Sequence, residues 1–288
     1  MTELRFISAN GLRFGYFEEG RGPLILLVHG FPDTAHSWAE TRSALAYAGF
    51  RVVTPFTRGY LPTEIPADGR YDAVTLGADL LALIDAFGES SAIVVGHDWG
   101  TVAAFTAAQL DPAKVRFLAA VALPHPASIR PLPRISWGLR HFVRFKFFGG
   151  VPWITANEGA NIDMLVKRWS PAWTFGPDQT AHVKEAFRQP GCAHAALGYY
   201  RAMSPLLSEV EKRKVAVPTL AFCGDTDSVM NRSDFDHARK YHAAAYDIVS
   251  MPGGHFMHRE DPALFTSSLL AALGNADLLP KREAPPVA

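Results

Sequence analysis

One aspartate, Asp98, lies where the chain pattern best suits a reactive side chain. The apolar run that begins at Ser91 leads into the motif Gly-His-Asp-Trp-Gly (residues 96–100), and an alanine-rich helical pattern begins at Thr101. A strand, a tight turn and a helix in this order form a nucleophile elbow, where flanking glycines allow a strained turn to expose one side chain. A carboxylate is a poor acyl nucleophile, because its adduct is an anhydride, but it displaces leaving groups at saturated carbon. The pattern therefore predicts an alkyl ester on Asp98 and the opening of a carbon–oxygen or carbon–halogen bond.

Asp98 could instead serve only as the cap of the helix that follows it. An anion is stabilised there by the helix dipole and by the free backbone N–H groups. The two interpretations differ in what they require elsewhere, because only an ester intermediate needs a base and an acid to activate water.

The rest of the chain offers both groups. His255 lies in a glycine-rich loop, Met251-Pro-Gly-Gly-His-Phe256, directly after the last predicted strand, so we expect it to be the base. The acid that orients it follows another strand, in Gly224-Asp-Thr-Asp-Ser228, where Asp227 is favoured over Asp225 because it lies farther beyond the strand end. Asp225 is expected to cap the turn. The order nucleophile, acid, histidine is typical of enzymes built on a strand–elbow–helix unit.

Ester cleavage also needs donors for a transient oxyanion. The backbone N–H groups of Trp99, directly after the nucleophile, and of Phe31, in the loop after an apolar strand, are predicted to supply them. His29 and His97 are predicted to hold loop backbone by hydrogen bonds.

The predicted elements can bring these loops together. Residues 4–17 alternate around Asn10-Gly11 and predict a β-hairpin. Continuous apolar strands predict a parallel sheet covered on both faces, at Leu24–Val28, Arg51–Pro55, Ala92–Val95, Phe117–Leu123, Thr219–Cys223 and Tyr246–Ser250. Helical patterns lie between them at Ser37–Ala48, Thr75–Phe87, Thr101–Leu110 and Phe235–His242. The fold class is therefore α/β, with a mostly parallel eight-stranded sheet and helices on both faces.

The alternation breaks between Pro124 and Val217, a stretch rich in Pro and Trp with helical patches and no convincing core strand. We predict that residues 124–217 are a helical cap inserted between two parts of the core, 1–123 and 218–276. Residues 277–288 are predicted to be a disordered tail.

The composition limits the kinds of partner and ligand that we expect this protein to bind. The chain has 288 residues with 28 basic and 28 acidic side chains, so nucleic acid and membrane are not expected partners. Cys192 and Cys223 have no metal-ligand spacing, and a disulfide between them is disfavoured though not excluded. No secretion signal or membrane-spanning run is seen, so a soluble cytoplasmic protein is expected. Neither a cofactor nor a metal is expected, and a homodimer is possible.

The chain resembles the α/β-hydrolase-fold epoxide hydrolases. Two of the motifs that carry the resemblance are also typical of the related haloalkane dehalogenases. The resemblance spans nearly the whole chain and is weakest in the cap. Its motifs are, in chain order, His29-Gly-Phe-Pro-Asp33, Arg58-Gly-Tyr60, Gly96-His-Asp-Trp-Gly100, Pro124-His-Pro126, Tyr199-Tyr-Arg201 and Gly254-His255. The resemblance implies that Asp98 is the nucleophile, that Asp227 and His255 activate water, and that cap tyrosines donate to the epoxide oxygen.

Tyr200 matches the second of the family's two cap tyrosines, and ring opening independently requires such a donor for the alkoxide. Its neighbour Tyr199 is expected to point elsewhere, although either residue could face the pocket. The first cap tyrosine is missing: no Tyr occurs between Tyr71 and Tyr199, and Phe142 or Phe145 stands where one is expected. His141 could replace it as a donor. His141, Trp99 and Tyr199 are therefore the candidate substrate-binding residues beside the catalytic set.

Two other functions stay open at this point. A haloalkane dehalogenase would use the same nucleophile and hold halide with Trp99 and a cap tryptophan, although Phe31 stands where that branch often uses Asn. A catalytically idle protein that binds a small apolar ligand is the third reading, suggested by the missing tyrosine. A hydrolase acting on small apolar epoxides is the leading prediction.

Overall fold

The computed structural model describes residues 2–130, 133, 137, 140–204 and 206–280. Eight strands form one sheet, which confirms the predicted fold class. The strands are β1 (Arg5–Ala9), β2 (Leu12–Glu19), β3 (Leu24–Val28), β4 (Arg51–Pro55), β5 (Ala92–His97), β6 (Val115–Val121), β7 (Thr219–Gly224) and β8 (Tyr246–Met251).

The strand order is β1-β2-β4-β3-β5-β6-β7-β8, with β1–β2 and β2–β4 antiparallel and the other pairs parallel. After β3 the chain pairs β4 on one side and then crosses to place β5 on the other side. Ligands of open α/β sheets bind at such a switch point, outside the carboxyl ends of the strands. The loops after β3 and β5, which carry Phe31 and Asp98, therefore meet at the expected place for a site.

The central strands are buried on both faces, as their unbroken apolar sequences predict. Along β3, Leu26 and Val28 pack in one core cluster, whereas Ile25 and Leu27 pack in the second cluster on the opposite face. The β1–β2 hairpin turns at Asn10 and Gly11, which both have positive φ (45° and 76°). This is the backbone that a two-residue hairpin loop requires.

Helices cover both faces of the sheet. They are α1 (Ala39–Tyr47), α2 (Ala73–Ala86), α3 (Trp99–Leu110), α9 (Arg232–Ala238), α10 (Met257–Glu260) and α11 (Pro262–Asn275). The predicted helix at Ser37–Ala48 is split, because a 3₁₀ turn at Ala35–Trp38 precedes α1. The predicted strand at Phe117–Leu123 is displaced by two residues, since Ala122 has a φ of 69° and ends the extended backbone.

Within the described ranges, five helices lie between β6 and β7: α4 (His141–Phe147), α5 (Gly150–Thr155), α6 (Ala160–Trp169), α7 (Asp178–Arg188) and α8 (Cys192–Ala202). We call this helical segment the cap. Its treatment as a separate domain with boundaries at residues 124 and 217 stays a prediction. Cys192, in α8, and Cys223, in β7, are both buried and unpaired.

The predicted C-terminal tail falls into two parts. Residues 281–288 lie outside the described residues. The preceding residues are packed on the fold, since the Leu278 N–H donates to Leu273 O at 2.8 Å and the Leu278 side chain packs against a core cluster. The predicted disorder is therefore wrong at Leu278, because this apolar side chain packs against the core beside α11. Within the described ranges, no helix combines the length and apolarity needed to cross a membrane.

A buried ion pair anchors the loop after β4. The Arg58 guanidinium donates to both carboxylate oxygens of Asp79 at 2.6 Å, and both side chains are almost completely buried. Removing one partner of such a pair leaves a charge without compensation in the interior.

We expect Asp79→Asn to lower the free energy of unfolding by about 3–5 kcal/mol in chemical denaturation, because Arg58 stays buried and charged. Asp85→Asn is the matched control in the same helix. Asp85 pairs with Lys114 at 2.6 Å but is 57% exposed, so its loss should cost about 1 kcal/mol or less. Equal losses in the two variants would contradict this account.

Candidate active site

Asp98 occupies a strained turn between β5 and α3. Its φ of 52° and ψ of −117° are rare for a residue with a side chain, and such strain is found where a side chain must be presented. The turn closes only because its flanks are glycine. A Cβ on Gly96 would lie 2.2 Å from Gly100 O, and one on Gly100 would lie 2.2 Å from Val28 O. The glycines predicted to allow a nucleophile elbow are thus required by close backbone contacts.

The Asp98 carboxylate is oriented from two sides. Its Oδ1 accepts a hydrogen bond from the Phe31 N–H at 2.8 Å. Its Oδ2 lies 3.5 Å from His255 Nε2. Trp99 is the first residue of α3, and its N–H has no acceptor within the helix. The Phe31 N–H therefore binds the carboxylate, and the Trp99 N–H lies directly after it at the start of α3; their service as oxyanion donors stays a prediction.

Asp227 orients His255. Oδ2 of Asp227 lies 3.0 Å from His255 Nδ1, while its Oδ1 accepts hydrogen bonds from the N–H groups of Val229 (2.7 Å) and Met230 (3.3 Å). The Asp227 side chain is buried, whereas Asp225 is exposed. The structure thus brings Asp98, His255 and Asp227 together and leaves Asp225 outside.

The charges around His255 set its protonation. Burial alone would lower the pKa of His255, because an imidazolium is poorly solvated inside a protein. The Asp227 and Asp98 carboxylates outweigh burial and raise this pKa to about 10. His255 is therefore an imidazolium near neutral pH while both carboxylates are charged. Its protonation stabilises the fold fully below the unfolded value of about 6.5, and this contribution is lost as the pH rises through about 10.

Three consecutive cap residues at the end of α6 hold the loops of both the acid and the histidine. Ser228 Oγ, next to Asp227, donates to Arg168 O at 2.7 Å. The His255 N–H donates to Trp169 O at 3.1 Å. The cap backbone therefore fixes the distance between the two loops.

The third of these cap residues, Ser170, also binds the loop that carries His255. Ser170 Oγ accepts from the Phe256 N–H at 3.1 Å and donates to Glu260 Oε1 at 2.7 Å. The same Glu260 oxygen accepts from the Gly254 N–H at 2.8 Å. Every backbone N–H from Gly254 to Phe256 is thus bound. Sequence reasoning missed Ser170 and Glu260, because neither lies in a recognisable motif and only the tertiary structure joins them.

A cavity of about 360 Å³ lies over the carboxylate. Its polar lining residues are Asp72, Asp98, His141, Ser204, Glu211 and His255, and apolar residues make up most of the wall. The larger apolar and aromatic lining residues are Tyr71, Trp99, Val102, Leu123, Ile129, Phe142, Trp169, Tyr199, Met203, Leu207, Val229 and Met230. This volume suits a small molecule that is mostly apolar.

The two adjacent cap tyrosines differ in what their hydroxyl groups can do. Tyr199 lines the cavity with its ring, but its hydroxyl donates to Arg58 O at 2.8 Å. Tyr200 is buried among the rings of Phe31 and Trp99 rather than in the cavity wall. Burial and the Asp98 charge hold the pKa of Tyr200 well above its usual value, against a hydrogen bond from the Trp99 side chain. A hydroxyl that accepts from an indole keeps its own proton to donate.

His141 lies at the first turn of α4, where the sequence lacks a tyrosine. It is buried, lines the cavity, and has its ring centroid 5.7 Å from that of Tyr200. Phe142 also lines the cavity, whereas Phe145 packs on Phe31 beneath it. The polar group at this end of the cap is therefore an imidazole.

Two further histidines hold backbone, which confirms their predicted structural role. His29 Nδ1 donates to Gly30 O at 3.0 Å and Nε2 accepts from the Thr57 N–H at 3.1 Å. Burial lowers the pKa of His29 to about 4. His97 Nε2 lies 3.0 Å from His255 O and so holds the loop after β8.

One buried group could be considered for a metal ion. Asp33, His97 and His258 each place a ligand atom within 4.8 Å of the others. Arg259 already binds Asp33, with 3.2 Å between Nη1 and Oδ2. A divalent ion would therefore meet a carboxylate whose charge is balanced by a guanidinium, which disfavours binding. The expectation that no metal is needed stays a prediction.

The fold and this geometry define the class of the protein. It belongs to the α/β-hydrolase fold family, whose model matches residues 23–262. The AB hydrolase superfamily protein YfhM of Bacillus subtilis (strain 168) is 28% identical over 282 residues, covering 95% of this chain and 99% of that protein. Epoxide hydrolase A of Mycobacterium tuberculosis is 29% identical over 317 residues, covering 95% and 98%.

Solved structures have the same fold. The Bacillus megaterium epoxide hydrolase in complex with an inhibitor superimposes with a TM-score of 0.83 over 94% of this chain and 100% of that one, at 22% identity. The resemblance to the α/β-hydrolase-fold epoxide hydrolases, first seen in the motifs, is thereby confirmed.

We expect Asp98→Asn to lower the pKa of His255 by about one pH unit or more, because one of its two carboxylates is neutralised. An NMR titration of the imidazole measures this directly. Asp225→Asn is the control, since that carboxylate is exposed in the same loop as Asp227 and should leave the titration unchanged. An unaltered His255 titration in Asp98→Asn would show that Asp98 does not act on the ring.

Proposed function

We propose that this hydrolase opens small apolar epoxides to vicinal diols through an ester on Asp98. The observation that carries the proposal is a carboxylate at the strained elbow, with Oδ1 bound by the Phe31 N–H and Oδ2 beside His255. Attack at a saturated ring carbon is the reaction suited to a carboxylate nucleophile. The epoxide hydrolases among the relatives support this choice of substrate.

In the first step Oδ2 of Asp98 attacks a ring carbon, the carbon–oxygen bond breaks, and the alkoxide takes a proton. Tyr200 is the proposed donor, because its hydroxyl keeps a proton available and its raised pKa keeps the phenol neutral. His141 is the proposed second donor, in place of the tyrosine that the sequence lacks. Tyr199 contributes its ring to the wall, and Trp99 binds substrate through its indole face.

The second step follows from the change in charge. Esterification removes the Asp98 carboxylate charge, so one of the two groups that raise the pKa of His255 is lost. The imidazolium then releases its proton more readily, and one proton restores the Tyr200 phenol. Neutral His255, held by Asp227, takes a proton from water as that water attacks the ester carbon. The N–H groups of Phe31 and Trp99 stabilise the oxyanion.

Collapse of the oxyanion breaks the acyl carbon–oxygen bond, and the diol leaves with a proton from His255. The carboxyl group retains an oxygen from water and returns its proton to His255. The site thereby regains a carboxylate beside an imidazolium, and the balance is one epoxide and one water consumed for one diol.

We expect His255→Gln to accumulate a covalent adduct on Asp98 when mixed with an aryl or alkyl epoxide, because alkylation does not need the base. Intact mass spectrometry should show the protein heavier by one epoxide, and peptide mapping should place the added mass at residue 98. Asp98→Ala is the control, and it should form neither adduct nor diol. A His255→Gln protein that consumes epoxide without an adduct would rule out the ester.

Replacement of the two tyrosines tests the proton donor. We expect Tyr200→Phe to slow the alkylation step by about 10²-fold, the usual contribution of one acid–base group. Tyr199→Phe is a matched control, since it removes a neighbouring hydroxyl that donates to Arg58 O. It should change the stability and leave the alkylation rate within a few-fold of wild type, as measured by stopped-flow or rapid quench. Equal losses of rate would assign the donor elsewhere.

One observation keeps a second function in view. The Trp169 indole N–H is buried without a partner, and Trp169 lines the same cavity as the nucleophile. A halide leaving group could use such a donor. The second donor would be the Trp99 indole, and Trp99 lines the same cavity. Halide release from chlorinated or brominated alkanes, assayed beside diol formation, separates a dehalogenase from an epoxide hydrolase.

A further inference from the structure

Positive charge is segregated in a chain whose formal net charge is zero. No Asp or Glu occurs from residue 112 to residue 157, whereas five Lys and Arg residues lie between 130 and 146. Three of them, Arg140, Arg144 and Lys146, lie in α4 or directly before it. The zero net charge on which the sequence prediction of no membrane partner depends therefore conceals a local excess.

Helix α4 has large apolar side chains on its exposed side as well as on its buried side. Its inner side chains, His141 and Phe145, are buried beside the cavity. Its outer side carries large apolar residues in solvent: Val143 is 53% exposed, Phe147 is 66% exposed, and Phe148, just after the helix, is 65% exposed. Exposed apolar groups that lie together mark a surface that contacts something else.

The cations surround these apolar residues. Arg144 is exposed between Val143 and Phe147, and the Arg140 guanidinium lies 4.3 Å from the ring centroid of Trp137, which is 70% exposed. We call this surface the basic aromatic face, defined by Trp137, Arg140, Val143, Arg144, Lys146, Phe147 and Phe148. The Arg140 charge also acts on Arg168 and, after burial, lowers its pKa. The positive field therefore extends beyond α4.

The basic aromatic face adjoins the mouth of the active-site cavity. Lys146 Nζ donates to Met203 O, and both Met203 and Ser204 line the cavity and are exposed, so we place the cavity mouth beside them. Phe142 joins the two surfaces, because it lines the cavity from the same helix that carries the exposed residues.

The positive charge of the basic aromatic face distinguishes between two possible partners, a second copy of the chain and an anionic lipid surface. In a symmetric dimer this face would meet its own copy, so its cations would oppose cations with no acid in the segment to balance them. An anionic lipid surface offers the opposite charge and takes aromatic side chains at the level of its head groups. We propose that the basic aromatic face docks the protein on an anionic lipid surface, with the cavity mouth at the interface.

Docking would give the cavity a short route to apolar molecules dissolved in lipid. This consequence rests on the proposed function, since it assumes an apolar epoxide as substrate. The docking itself does not, and it can be tested without any assay of turnover.

The test is co-sedimentation of the full-length protein with phosphatidylcholine vesicles, with and without phosphatidylglycerol. We expect binding that requires phosphatidylglycerol and falls as salt is raised. The double variant Phe147→Ser, Phe148→Ser should bind at least about tenfold more weakly, because its apolar anchors are gone. Arg144→Gln should lower the partition coefficient about fivefold, as expected for one cation near the surface.

Tyr47→Ser is the matched control, because Tyr47 is an aromatic residue in α1 that is 95% exposed. It should bind vesicles as the wild type does, and all variants should retain the wild-type melting temperature. Absence of vesicle binding would overturn the docking proposal, as would equal loss of binding in Tyr47→Ser. A wild-type dimer that the Phe147→Ser, Phe148→Ser variant cannot form would also overturn it, by showing that a second copy covers this face. None of these outcomes depends on whether epoxides are the substrates.

Discussion

Two carboxylates approach one buried imidazole, and the geometry of the site depends on keeping all three groups in place. Asp227 lies 3.0 Å from Nδ1 of His255, and Asp98 lies 3.5 Å from Nε2. Each carboxylate stabilises the positive form of the ring, so the loss of either charge makes the ring less basic. Any change that neutralises Asp98 therefore lowers the basicity of His255, and in the proposed mechanism this change would make the base available after the ester has formed.

The central residues of this arrangement could be predicted from sequence because each follows a strand. Asp98, Asp227 and His255 come after β5, β7 and β8, and Phe31 comes after β3, so parallel strands deliver them to one edge of the sheet. Glycine spacing located the elbow for the same reason, since only glycine permits the backbone contacts around it. Each of these signals is local in the sequence, and the parallel strand topology then places the residues together in one site.

The contributions of the cap could not be predicted in this way. Tyr199 and Tyr200 are adjacent in one helix, and only tertiary contacts show that the Tyr199 hydroxyl donates to Arg58 O while the Tyr200 ring packs on Trp99. Ser170 and Glu260 carry no motif at all. Helix periodicity indicates which side of a cap helix is apolar, but both the cavity and the exposed face of α4 are apolar, so periodicity cannot tell them apart.

The hydrogen bonds from residues 168–170 to the loops after β7 and β8 bear on how molecules enter and leave. Raising this part of the cap would break the bond from the His255 N–H to Trp169 O and release the loop that Ser170 holds. Movement of this part of the cap would therefore also displace Asp227 and His255 from each other. An entry route that leaves residues 168–170 in place would keep these two side chains paired.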